Sequence, residues 1–234
     1  MSASSPQQAA WLPRLVIAPS FVLSLLFIYG LMAWNGYLSM SASRILPNYE
    51  FVGLQHYASL MDSDRFQVAM RNMAVFGTST GGAMTLSLVL RAKDEKVALP
   101  AAIAPGTPWS DIAKIGDTYE TNEWVDNVLV TWDGWLGRAA LLYANGKDLK
   151  DPQLSPIYGD FAHFPPTILT SGTRDLFLSN TVRTHRKLRR ASVVADLNVY
   201  EGQSHAQYGF NADAPETREA FTDIAQFFDR HLAR

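Results

Sequence analysis

The stretch Gly77-Thr78-Ser79-Thr80-Gly81 places a hydroxyl between two glycines in the spacing G-x-S-x-G. In this pattern the serine sits on a strained turn between a strand and a helix. Side chains on the flanking positions are expected to clash, so both are glycine. The pattern alone is weak, because a glycine-rich turn has the same spelling. A serine hydroxyl near its ordinary pKa is a poor nucleophile and needs a neighbouring base. Five histidines are available: His56, His163, His185, His205 and His231. His185 in a basic helix and His231 in the last helix are expected to face solvent, and His163, before Phe164-Pro165-Pro166, reads as structural. His205 lies in Glu201-Gly202-Gln203-Ser204-His205-Ala206-Gln207, a loop between a strand pattern and the last helix. A base of this kind needs a carboxylate to fix its tautomer and to stabilise the imidazolium. Asp175, in Gly172-Thr173-Arg174-Asp175, follows an apolar run and is the candidate. Ser79, Asp175 and His205 together could carry acyl transfer.

These residues need a scaffold of alternating strands and helices. Met73–Phe76 is a short apolar run before the serine, and a helical pattern follows it to Leu90. Val97–Ala104 and Pro166–Ser171 read as strands, Thr181–Arg190 as a basic helix, and Leu197 and Val199 alternate as a strand does. Phe221, Ile224, Ala225, Phe228 and Leu232 recur at helical spacing after Pro215. Such alternation implies a parallel sheet with helices on its faces. Met73–Leu90 also lacks charge, as a second membrane helix would, but its Gly, Ser and Thr content argues against that. The tryptophans between 109 and 164 read as core or cap packing. Arg183–Arg190 reads as a solvated helix face.

The blocks GTSTGGAM, SGTRDLFLSNTVR and YEGQSHAQY agree in order and spacing with the hormone-sensitive-lipase-like esterases of the α/β-hydrolase superfamily, and the chain resembles that family from about residue 73 to 234. The order Ser, Asp, His is that of the superfamily. The resemblance implies the rear half of an α/β-hydrolase, with a parallel sheet flanked by helices and part of a cap within residues 112–165. It implies carboxylic-ester hydrolysis through an acyl-enzyme, with Ser79 attacking, His205 as base then acid, and Asp175 orienting it. No cofactor is implied, and Asp111 in Pro108-Trp109-Ser110-Asp111 reads as structural. The family's His-Gly-Gly-Gly motif, which supplies most oxyanion donors upstream of the serine, is not present in the sequence. The N–H of Thr80 matches the one remaining donor. The strand before Ser79 is then expected at an exposed apolar edge.

The N-terminal part has a different character. Leu15–Trp34 is twenty residues without a charge, enough to span a bilayer core of about 30 Å. Arg14 flanks it, and Trp34 and Tyr37 suit an interface. Residues 1–14 are expected to be disordered, and Ser39–Tyr49 to form a loop with a turn at Pro47-Asn48. The span, then FVGLQHY, then DSDRFQVAMRNMAVF resemble the start of a sugar ABC transporter permease over residues 11–76, and His56 falls in this part. The resemblance implies a junction near Phe76-Gly77 and a chain in two parts, 1–76 and 77–234. It implies anchoring in a bacterial inner membrane, with the hydrolase part outside if the span is oriented as in those permeases; a cytoplasmic location is the alternative. The remaining transporter helices and the coupling loop are not in the sequence, so transport does not carry over. A net charge of −2 gives no reason to expect a nucleic-acid partner, and zero cysteines exclude disulfides and thiolate metal sites.

Overall fold

The computed structural model describes residues 6–42, 48–64, 66 and 72–232. Two units divide the chain, Met1–Gln67 and Val68–Arg234.

In the first unit, helix α1 runs from Pro6 to Ser39. Residues 6–14, expected to be disordered, are therefore helical. Pro6 occupies a helix start, where its lack of an N–H costs nothing. The segment Val22–Ser39 has a mean hydropathy of 1.4 and no buried residue, and it is long and apolar enough to cross a membrane. A short helix, α2 (Gln55–Met61), follows. Ser41 and Phe51 form an isolated antiparallel bridge. His56 Nε2 lies 2.9 Å from the carbonyl oxygen of Ser41. The expected turn residue Pro47, the side chain of Arg14, and positions 67–71 of the permease-like run lie outside the described residues.

The second unit is built on four parallel strands in the order of the chain. They are β1 (Ala74–Thr78), β2 (Ala102–Gly106), β3 (Thr167–Gly172) and β4 (Ala195–Tyr200). Helix α3 (Thr80–Asp94) links β1 to β2, and α6 (Leu178–Arg190) links β3 to β4. Between β2 and β3 lie the single turn α4 (Thr118–Thr121) and α5 (Trp135–Ala144). The last helix, α7, spans Pro215–His231. The stretch Met73–Leu90 is thus strand, turn and helix. The expected strand Val97–Ala104 sits later, at 102–106, with Val97 exposed.

The central strands β2 and β3 are buried along their whole length, as parallel strands covered on both faces are. Their side chains alternate between two cores. Ile103 and Leu169 point into one cluster with Leu86 and Val89 of α3 and Leu188 of α6. Ala102, Ala104 and Ile168 point the other way, against Phe227 of α7. Leu86, Val89 and Leu188 are fully buried, each worth about 1.5–3 kcal/mol of apolar burial. Basic residues in the last turns of α3 and α6 suit the negative ends of those helices. A third cluster, with Trp109, Tyr119, Leu129, Leu136, Leu176 and Phe177, lies within the segments that follow β2 and β3. Trp132 packs against it, whereas Trp124 and Trp135, expected as packing residues, are exposed. β1 is the edge strand, and its Phe76 is 72% exposed. This is the apolar edge that the sequence leads one to expect.

Candidate active site

β1 ends at Thr78, and Ser79 follows at the turn into α3. Its backbone has φ 62° and ψ −122°, a conformation that a non-glycine residue holds only when its surroundings enforce it. Three bonds do so. Ser79 N–H donates to the carbonyl of Gly106 at 2.9 Å, and its own carbonyl accepts from Ala83 at 3.1 Å and from Trp109 at 3.2 Å. The glycines have unequal reasons. A Cβ on Gly77 would lie 2.4 Å from the Gly81 carbonyl oxygen, and one on Gly82 would lie 2.7 Å from that of Gly106. A Cβ on Gly81 would meet nothing within 4 Å. The clash expected at both flanking glycines therefore exists at Gly77 and not at Gly81, because Gly81 already lies on an open part of the helix. Ser79 is half-buried.

Asp175 and His205 stand at the ends of β3 and β4 and are both buried. His205 Nδ1 lies 2.9 Å from Asp175 Oδ1. The same oxygen accepts the N–H of Phe177 at 2.8 Å, and Oδ2 accepts the Ser171 hydroxyl at 2.7 Å. With its carboxylate partner on Nδ1, the imidazole keeps Nε2 for other work. Nε2 is buried and has no hydrogen-bond partner. The end of β1 and the loop after β4 meet. Thr78 Oγ1 lies 3.1 Å from Tyr208 Oη, and a ring relay runs from Trp109, stacked on Phe177 at 5.3 Å, to His205, edge-on to Phe177 at 4.9 Å. Burial pushes the Tyr208 phenol up to about 12. Thr80 is the first residue of α3, where N–H groups lack partners inside the helix and favour a negative charge.

The other histidines lie elsewhere. His163 is exposed. His185 and His231, expected to face solvent, are half-buried. His185 Nε2 lies 3.2 Å from the carbonyl oxygen of Ala195, and His231 packs on the Phe227 ring at 4.5 Å. His185 thus reaches the backbone of β4, and His231 lies against its own helix, which charge counting does not reveal. Asp111 is structural, as expected. It is buried and takes hydrogen bonds at 2.8 Å from both Arg183 and Tyr158. Arg183 is thus tied inward, while Arg186, Arg189 and Arg190 make the solvated face. Sequence reasoning missed Asn122 and Asp126. Asn122 donates to the carbonyls of Thr173 and Asp175 at 3.1 and 2.8 Å. Asp126 accepts the backbone N–H of Leu176, next to Asp175, and that of His205.

Residues 49–209 match the alpha/beta hydrolase fold family, a match that overlaps the permease-like stretch at its start. The chain is similar to an esterase of Acinetobacter venetianus, 26% identical over 159 residues, which are 67% of this chain and 52% of that protein. It is similar to an acetyl-hydrolase of Streptomyces hygroscopicus, 26% identical over 151 residues, 64% of this chain and 50% of that protein. The chain spans about half the length of these curated relatives. A separate match is to a probable ABC transporter permease protein of Pyrococcus horikoshii, 36% identical over 59 residues, 25% of this chain and 20% of that protein. Among solved structures, an esterase 48% identical superposes with a TM-score of 0.70 over 77% of this chain and 54% of that one. An esterase from the bacterial hormone-sensitive lipase family, 26% identical, does so with a TM-score of 0.67 over 72% of this chain and 58% of that one. The family match covers more than half of the chain and takes in Ser79, Asp175 and His205, so the protein belongs to the alpha/beta hydrolase fold family.

Proposed function

We propose that the chain is a serine hydrolase of small carboxylic esters, with Ser79 as nucleophile, His205 as general base and then acid, and Asp175 orienting the imidazole. The observation that carries this reading is the buried His205–Asp175 pair, with Nε2 unpartnered, at the same end of the sheet as the strained Ser79. In the first step Ser79 Oγ attacks the ester carbonyl while His205 Nε2 takes the hydroxyl proton. The alkoxide oxygen that forms faces the N–H of Thr80 and the positive end of α3. Collapse expels the alcohol, which receives the proton from His205, and water repeats the sequence to release the acid. Catalysis is weak in this reading. The upstream oxyanion motif is absent from the sequence, and losing even one donor costs about 10²–10³ in rate.

A fluorophosphonate probe tests the assignment. It should label the folded chain at Ser79, and Ser79→Ala should abolish labelling; a folded sample that takes no label overturns the enzyme reading. A second reading is favoured by the permease match and by the apolar segment Val22–Ser39. In it, residues 1–76 are a permease start joined to a non-catalytic hydrolase remnant, anchored in a bacterial inner membrane with residues 77–234 outside. Protease added to intact cells should then degrade the hydrolase part, and protection of that part would refute the orientation. Reading the genomic locus across the codons for Phe76 and Gly77 tests the junction itself.

A further inference from the structure

Asp126 is a carboxylate with 1% of its surface exposed, and all four hydrogen bonds it accepts come from backbone N–H groups. Two close its own turn: Val128 and Leu129 donate to Oδ1 at 2.8 and 3.2 Å. The other two come from distant parts of the chain. Leu176, next to the acid Asp175, donates to Oδ2 at 2.8 Å. His205 itself donates its backbone N–H to Oδ1 at 3.4 Å. Neighbours in the same segment repeat the pattern. Asn122 holds the carbonyls of Thr173 and Asp175, and Asn127 N–H donates to Ser204 Oγ at 3.2 Å.

We propose that Asp126 is a positioning residue, which fixes the acid loop and the base loop relative to one another so that His205 Nδ1 meets Asp175. This rests on the catalytic reading above only for its kinetic consequence. The pairing of β3 with β4 reaches Gly172 and Tyr200. Bonds from Thr173 to Tyr200 and from Arg174 to Gln203 extend it. Beyond them the two loops diverge from strand geometry, and the strap 122–127 spans them. A turn-capping aspartate would need only Val128 and Leu129. The contacts to Leu176 and His205 are what a plain cap does not explain. Placement of a triad member to within about 1 Å is worth about 10² in rate, so a residue that sets this placement acts through its neighbours.

Asp126→Asn tests it in the full chain, in detergent micelles, with ¹⁵N-labelled histidine. The new NH₂ group must face either the Leu176 N–H or the donors on the other oxygen. The expected result is a folded protein in which the downfield His205 Nδ1 proton signal broadens or disappears, with fluorophosphonate labelling of Ser79 slowed about 10²-fold. A lower urea midpoint with an unchanged His205 signal in the folded protein would reduce Asp126 to a structural cap and overturn the proposal. If the unaltered chain takes no label, the catalytic reading fails, and the His205 signal still decides the positioning. If Asp126→Asn does not fold, hydrogen exchange on the unaltered chain decides. The amides of Leu176 and His205 should exchange in the same opening as those of Val128 and Leu129, and separate openings would sink the coupling.

Discussion

Replacing Asp175 separates two jobs of one carboxylate. Its Oδ1 serves both Phe177 N–H and His205 Nδ1, and its Oδ2 serves only the Ser171 hydroxyl. In Asp175→Asn the amide oxygen is therefore forced to the Oδ1 position, because an NH₂ group there would face the fixed Phe177 N–H. The NH₂ group falls beside Ser171, whose hydroxyl can turn and accept. The imidazole keeps its tautomer, and what is lost is the charge. Charge-assisted hydrogen bonds are roughly twice as strong as neutral ones, so the loss is about 1–2 kcal/mol, or about 10-fold in labelling rate. Asp175→Ala removes all three contacts and strands buried donors. It should cost about 1–3 kcal/mol of stability for each buried donor left unpaired and release the tautomer, a defect worth about 10⁴ in rate in a serine-protease triad of the same logic. Pseudo-first-order labelling by a fluorophosphonate, together with urea melts, measures both. The reasoning fails if Asp175→Asn labels as slowly, or unfolds as readily, as Asp175→Ala.

The glycines of the turn should part company. Gly77→Ala drives a Cβ into backbone at 2.4 Å and should destabilise by up to about 3 kcal/mol, whereas Gly81→Ala fills open helix surface and should stabilise by up to about 1 kcal/mol; equal melting temperatures for the two would refute this. Phe76→Lys, on the exposed edge strand, should change stability by no more than about 0.5 kcal/mol and reduce self-association seen by sedimentation, since an edge lysine opposes strand pairing; unchanged association would locate it elsewhere. The phenols of Tyr208 and Tyr119 are both raised by burial, Tyr208 to about 12. Their raised values give stability that is fully present below the ordinary phenol pKa of about 10 and is lost as pH rises through about 12. In protein labelled with ¹³C at the tyrosine Cζ, the Tyr208 and Tyr119 resonances should therefore move to the phenolate position only together with loss of circular dichroism, and their ionisation near pH 10 in a still-folded chain would contradict the burial.

What the sequence made legible were features that local spacing carries. The G-x-S-x-G turn, the strand before it and the loops holding Asp175 and His205 are each written in a dozen residues or fewer, and the structure puts all of them at one end of the sheet. Asp126 and Asn122 were invisible for the opposite reason. Their partners Leu176, His205 and Asp175 lie some 50 to 80 residues away, and the only local trace is the Asx turn of Asp126 onto Val128 and Leu129. Burial was misjudged where a polar residue points inward along a charged helix, as His185 does. Exposure was misjudged for Trp124 and Trp135, because an aromatic type does not say which way a loop turns.

The division of labour among the strands explains why the His205–Asp175 pair can be well built in a chain half the length of its curated relatives. Asp175 and His205 hang from β3 and β4, which pair with one another over six residues, and the strap 122–127 that joins their loops follows β2. Every contact that orients the imidazole therefore comes from β2 onward. Ser79 hangs from β1, which pairs on one side with β2 and is the edge of the sheet on the other. The turn itself is fixed from the β2 side, through Gly106 and Trp109. In the reading proposed above, the oxyanion donor that the turn after β1 offers is the N–H of Thr80 at the start of α3. Added donors at this turn, by this logic, should raise the rate at which a fluorophosphonate labels Ser79, and donors that left that rate unchanged would refute the idea that the oxyanion site limits it.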